Sequence, residues 1–141
     1  MHQSDAVAAV AAAWCERMSD GDVEGVTAIL LADPDTFAIG TQRIGVGREA
    51  WLESVREMAG MGVTWAWHDL RAWEIGGAGV AAGEMTATLP NGMRLPMRTS
   101  VFLVRDGDVY RIFHMHFSWA VPDEVALPQL ESWREQLAQS N

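Results

Sequence analysis

Cysteine is almost absent: Cys15 stands alone among 141 residues, which excludes an internal disulfide framework and suits a reducing compartment. Its neighbours Trp14 and Met18 mark it as a small buried hydrophobe rather than a nucleophile. Positive charge is also scarce. Ten Lys and Arg face nineteen Asp and Glu, a net charge of −9, so a nucleic-acid backbone is not an expected partner and neither is an anionic membrane surface. No run reaches the ~18 apolar residues of a membrane span. The apolar decad from Ala6 to Cys15 does not read as a secretory leader, because Met1-His2-Gln3-Ser4-Asp5 carries no basic residue and no small-residue cleavage site follows. A cytoplasmic protein is expected. Internal repeats, low-complexity tracts and Pro/Ser linkers are missing as well, so residues 1–141 read as a single domain. Apolar types make up 49% and charged types 21% of the chain, which is a globular balance.

What is present falls into two halves. Ser4 or Asp5 can cap a first helix running to Ser19, with Val7, Val10, Trp14 and Met18 on one stripe. Asp20-Gly21 ends it, Asp22 caps a short second helix, and Pro34 stops that one. Thr36 to Ile39 reads as a short strand. Arg48 to Ala59 is a third helix with Trp51, Val55 and Met58 on its buried face. The period then changes to alternation. Val63 to Ile75 is a strand with Trp65, Trp67 and Trp73 on one side; Val80 to Leu89, Leu95 to Arg105 and Asp108 to Trp119 follow. Gly76-Gly77, Pro90-Asn91-Gly92 and Asp106-Gly107 supply the turns. Beyond Pro122, residues 123–141 form a helical extension with Leu130, Trp133 and Leu137 on one stripe and Pro128 near its first turn. Helices first and antiparallel strands after them predict an α+β fold.

The Ser19-Asp20-Gly21-Asp22 turn, the Gly45-Val46-Gly47-Arg48-Glu49 lead-in to the third helix, and above all the run from Asp106 to Ser118 carry a resemblance. That run, DGDVYRIFHMHFS, is similar to the "DGxW-x-I-x-H-x-H-x-S" strand of SnoaL-like proteins of the nuclear transport factor 2-like superfamily, with Tyr110 in place of the usual Trp. It is also similar to the calcium/calmodulin-dependent kinase association domain. The resemblance covers residues 4 to 125. It implies a cone-shaped, curved, antiparallel or mixed sheet wrapped around the N-terminal helices, with a pocket at the wide end. The activity is left open, since the scaffold hosts isomerases, cyclases, dehydratases, hydrolases and non-catalytic assembly modules.

A two-residue turn at Asp106-Gly107 would place Phe113 opposite Ser100, Met115 opposite Arg98 and His114 opposite Thr99. One face then carries Arg98, Ser100, Phe102, Arg111, Phe113, Met115 and Phe117, the other Met97, Thr99, Val101, Ile112, His114, His116 and Ser118. A slip of one residue would exchange the two sets. Alignment on the association domain puts that module's pocket positions at Trp51, Glu84, Ser100 and Phe117. The module is cationic at the last three, so its anion-binding pocket does not carry over. What remains is an apolar cavity walled by Trp14, Trp51, Trp67, Phe113 and Phe117, suited to an uncharged, flat or cyclic organic ligand.

Glu84 is the first candidate for chemistry. It shares a strand face with Val80, Ala82 and Thr86, and a carboxylate held among apolar neighbours becomes a usable acid or base near neutral pH. Asp69 across the hairpin would complete a two-carboxylate arrangement. The alternative is structural: an ion pair of Glu84 with Arg71 or Arg98. The ketosteroid isomerase pattern is missing, because Thr36-Phe37-Ala38-Ile39-Gly40 has no carboxylate where that branch keeps its base. His114 and His116 stand ~6.5–7 Å apart on one strand face. However, residue 120 is alanine and the other histidines are His2 and His68, so no metal is expected. Hydrogen bonds to Ser118 and Thr99 on the outer face are the preferred role. No cofactor is expected either. Three readings stay open: cofactor-free acid–base catalysis on a small hydrophobic ligand, non-catalytic binding of it, and service as an assembly module; a homodimer through an outer sheet face bearing Met97, Val101, Ile112 and Trp73 is expected in each case.

Overall fold

The computed structural model describes residues 1–41, 44–45 and 47–139; Val46 and the side chains of Trp133 and Leu137 lie outside the described residues. The helices are α1 (Asp5–Ser19), α2 (Val23–Ile29), α3 (Arg48–Ala59) and α4 (Asp123–Gln139). The strands are β1 (His2–Gln3), β2 (Phe37–Ile39), β3 (Ile44–Gly45), β4 (Thr64–Ile75), β5 (Ala78–Thr88), β6 (Arg94–Asp106) and β7 (Val109–Trp119). They form one mixed sheet in the order β1-β4-β5-β6-β7-β2-β3, parallel only between β2 and β7. This is the α+β architecture the element order predicts. The two-residue strands β1 and β3 are too short to leave a periodic signal.

Helix α1 starts where Ser4 accepts a hydrogen bond from the Val7 N–H, and its stripe Val7, Ala11, Trp14, Cys15 and Met18 is buried. It lies across β4, β5 and β7. Small residues permit that close approach: a Cβ on Gly79 would come within 2.7 Å of a Val7 methyl. Ala72, Ala81, Val101, Met115 and Ala38 are cross-strand partners running over five strands beneath the helices, and all five are buried. Cys15 belongs to this core, and burial pushes its thiol up to about 12, which leaves it protonated and inert.

Two irregularities set which side chains face the helices. In β4 the pairing shifts between His68 and Arg71, where Asp69 takes a left-handed φ of 55°. The extra residue turns Trp73 to the opposite face from Trp65 and Trp67, against the expectation that all three share one. In β7 the shift falls at Phe113, between the pairs Leu103↔Ile112 and Phe102↔His114. The turn below it is Gly107-Asp108, closed by Asp106↔Val109, one residue later than expected. The observed partners are therefore Ser100↔His116, Arg98↔Ser118 and Thr99↔Phe117. Helix α4 continues beyond the sheet with little packing on the other elements, and Pro128 falls inside it.

The β4 bulge needs a glycine opposite it. A Cβ on Gly83 would lie 2.8 Å from the Asp69 carbonyl oxygen and 3.1 Å from that of His68. Backbone cannot yield as a side-chain tip can, so Gly83→Ala is expected to cost about 2 kcal/mol or more. Urea unfolding measures it, and a loss under about 0.5 kcal/mol would contradict the close contact.

Candidate functional site

A cavity of about 230 Å³ opens between α3 and the helix-facing side of the sheet. Trp51, Ser54, Glu57 and Met58 line it from α3, Trp65, Met97 and Phe117 from β4, β6 and β7, and Ala38, Gly40 and Thr41 from β2 and the residues after it. Each contribution has a local cause. Trp51 and Met58 lie seven residues apart on one face of α3, Met97 precedes Thr99 on the inward alternation of β6, and Phe117 is inward only because the β7 bulge lies behind it.

The floor is aromatic. Trp14 meets Trp65 edge to face at 5.2 Å between centroids and Phe117 at 5.4 Å, and Trp65 and Phe117 stand 6.3 Å apart. The buried indole N–H groups of Trp14 and Trp65 have no hydrogen-bond acceptor, an unusual state for buried donors. Among the described residues lining the cavity, Glu57 alone carries an ionisable side chain. Polar groups there are otherwise hydroxyls: Thr41 and Ser54, the latter donating to the Ala50 carbonyl at 3.3 Å.

The expected site residues divide between the two faces. Trp51 and Phe117 line the cavity. Trp14 is fully buried behind Phe117 and Trp65, and Met115 is fully buried in the core. Trp67 is half-buried and fastened to α1, its indole N–H donating to the Ala11 carbonyl at 2.9 Å. Glu84, Asp69, Arg98 and Ser100 do not enter the cavity. They are exposed on the other face, where they border a shallow groove with His116 and Ser118. Asp69 there pairs with Arg71 at 2.9 Å. Phe113 sits on that outer face too, in edge contact with Phe37 and Phe102. The expected register puts Met97 on the wrong face, and Trp65, which shares a strand face with the expected wall Trp67, is a wall the sequence reading does not name. The signal for Met97 was its alternation with Thr99 and Val101, which had been assigned to the outside.

The outer face also differs from expectation. Met97, Val101 and Ile112 are buried on the inner side, so they cannot cover a subunit interface. The apolar outer row is instead Trp73, Val80, Phe102, His114 and Phe37, cross-strand partners in sequence. His114 stacks on Phe37 at 4.1 Å and sets its Nδ1 3.3 Å from the Phe37 carbonyl oxygen. Thr99 points inward and is not its partner. No group of three His, Cys, Asp or Glu among the described residues is placed to hold a metal ion.

Comparison with known proteins agrees with the fold. A family model for the SnoaL-like domain matches residues 7–123. Among solved structures, an uncharacterized protein with a cystatin-like fold from Caulobacter vibrioides is 20% identical, with 90% of this chain and 96% of that one covered and a TM-score of 0.74. A nuclear transport factor 2-like superfamily protein from Salmonella enterica is 18% identical over 81% of this chain and 88% of that one, with a TM-score of 0.71. A protein of unknown function from Pseudomonas putida, of the same fold family, is 19% identical over 83% and 89%, with a TM-score of 0.72. At such identities the likeness is one of fold. No curated protein matches the sequence significantly.

The outer face carries a pH signature. Burial lowers the pKa of His114 from its ordinary 6.5, and the neighbouring His116 acts in the same direction, against the Phe37 carbonyl. The unfolded chain therefore takes the proton first. The stability drawn from a neutral His114 is complete above about pH 6.5 and drains as pH falls toward the lower folded value. His114→Gln is expected to flatten the fall in stability between about pH 7 and pH 5. Thermal melts across that range check it, and an unchanged slope would refute the assignment.

Proposed function

The chain belongs to the SnoaL-like domain family, and on that scaffold we propose that it binds a small, uncharged organic molecule, about the size of one substituted ring, in the cavity between α3 and the sheet. The aromatic and thioether lining of a 230 Å³ cavity carries this reading. That volume is below the ~300–1,000 Å³ of sites for drug-sized ligands and above the ~150 Å³ of an apolar cavity that takes benzene. Trp51, Trp65 and Phe117 offer ring faces, while Met58 and Met97 adapt to shape.

The placement of the carboxylates bears on the choice between binding and turnover. Acid–base chemistry of the two-carboxylate kind needs a second titrating group facing the first. Glu84 and Asp69, the two carboxylates expected to serve in that way, border the groove on the opposite face. The reading favoured is thus a binding protein.

Calorimetric titration with cyclohexanone and phenol tests the proposal. The parent chain is expected to bind saturably. Ser54→Phe, which fills the cavity from the half-buried face of α3, should weaken binding at least about tenfold, or 1.4 kcal/mol, without lowering the melting temperature. Glu84→Gln should leave binding unchanged. The proposal fails if neither compound binds, or if Glu84→Gln abolishes binding while Ser54→Phe does not.

A further inference from the structure

Exposed large apolar side chains are not scattered evenly over this molecule. Met61, Met93, Trp119 and Val121 are between 39% and 56% exposed, and they gather at one end of the sheet. Trp119 is the cross-strand partner of Met97, a cavity wall, and alternates onto the same face as Phe117. The Ala120 N–H donates to the Pro96 carbonyl at 3.1 Å, which anchors the chain beside Met97 before it leaves the sheet. Met93 lies in the β5–β6 turn. Met61 follows α3 and precedes Gly62, whose added Cβ would touch Pro90 of that turn.

The second apolar surface is tethered to the first. Three residues, Ala120 to Pro122, separate β7 from α4, where Leu127 and Leu130, three residues apart on one face, are 55% and 47% exposed. Helix α4 has 17 residues, about 25 Å of length, and packs little on the other elements. Neither surface is of a kind that water solvates without cost. A three-residue tether holds them at millimolar effective concentration or more. Pro122 and the sheet-bound Ala120 limit where the helix can swing.

We propose that α4 is the cover of the cavity: its apolar face, Leu127 and Leu130, closes over the mouth of the same chain, onto Trp119, Met58 of α3 and Met61 just beyond that helix. Its use in retaining a ligand rests on the cavity being the binding site, but closure itself follows from the two apolar surfaces and their tether. The extended position of α4 is then the open state of a two-state element.

Spin labels on Glu53→Cys of α3 and Glu131→Cys of α4, two exposed positions outside the cavity lining, report the distance between the helices. Cys15, buried and protonated, does not compete for the label. Closure predicts a population with the labels separated by roughly one helix diameter plus their own reach, ~10–12 Å for the helix. This population should be lost in Leu127→Lys/Leu130→Lys and enlarged by cyclohexanone. A cyclohexanone dissociation rate at least about tenfold faster in Leu127→Lys/Leu130→Lys than in the parent chain is the matching kinetic result. A single long distance, with or without cyclohexanone, would overturn the proposal. A short distance found only between two singly labelled chains would overturn it in favour of a second copy. If cyclohexanone does not bind, the cavity reading fails while the distance in the ligand-free chain still decides closure.

Discussion

The parity of β4 and β7 decides which side chains can meet a ligand, and each strand changes that parity once. A strand alternates its faces strictly, so one extra residue moves everything beyond it to the other side. The Asp69 bulge, with Gly83 making room for the Asp69 and His68 carbonyls, keeps Trp65 and Trp67 inward and sends Trp73 outward. The Phe113 bulge does the same for β7, so Ile112 and Tyr110 face inward on even numbers, and Met115 and Phe117 on odd ones. Without both shifts the helices would meet polar groups such as His68, His116 and Ser118 in place of Trp65, Trp67, Met115 and Phe117.

The sequence made the elements legible far better than the faces. The limits of α1 and α3 follow from Ser4, Gly21, Gly47 and Gly60, and the hairpins from Gly76-Gly77 and Asn91-Gly92. Those signals are local and chemical. The inward set on β6 and β7 was legible only in part. Phe117 and Met115 were placed inward and are, whereas Arg98 and Ser100 were placed beside them and are not. A two-residue turn at Asp106-Gly107 and one at Gly107-Asp108 fit the composition equally well, and nothing in the run RIFHMHF marks where the extra residue sits. Glu84 followed the same error. Its grouping with Val80, Ala82 and Thr86 is right, but the face they share is the outer one. A bulge in one strand is stabilised by contacts to its neighbour, as with Gly83 and Asp69, and single-strand periodicity does not carry that information.

The site that results depends on surface chemistry and shape rather than on titrating groups. Three rings and two thioethers enclose a volume suited to one ring, and the charged residues that first drew attention border the far face. A scaffold of this kind takes its function from the few side chains directed into its wide end. Here those side chains are aromatic rings and thioethers, which on the proposed reading would desolvate a ligand and hold it. The apolar end of the roll and the tethered α4 extend the same chemistry beyond the cavity, because the residues that continue its wall, Trp119 and Val121, lead directly into the helix.

Fluorine NMR of the chain labelled with 5-fluorotryptophan tests the central claim most directly, since its seven tryptophans sample both faces of the sheet. Addition of phenol should shift the resonances of Trp51 and Trp65 and leave that of Trp73, on the outer face, in place. Movement of Trp73 with Trp51 and Trp65 unmoved would put the ligand on the other side of the sheet and contradict the account.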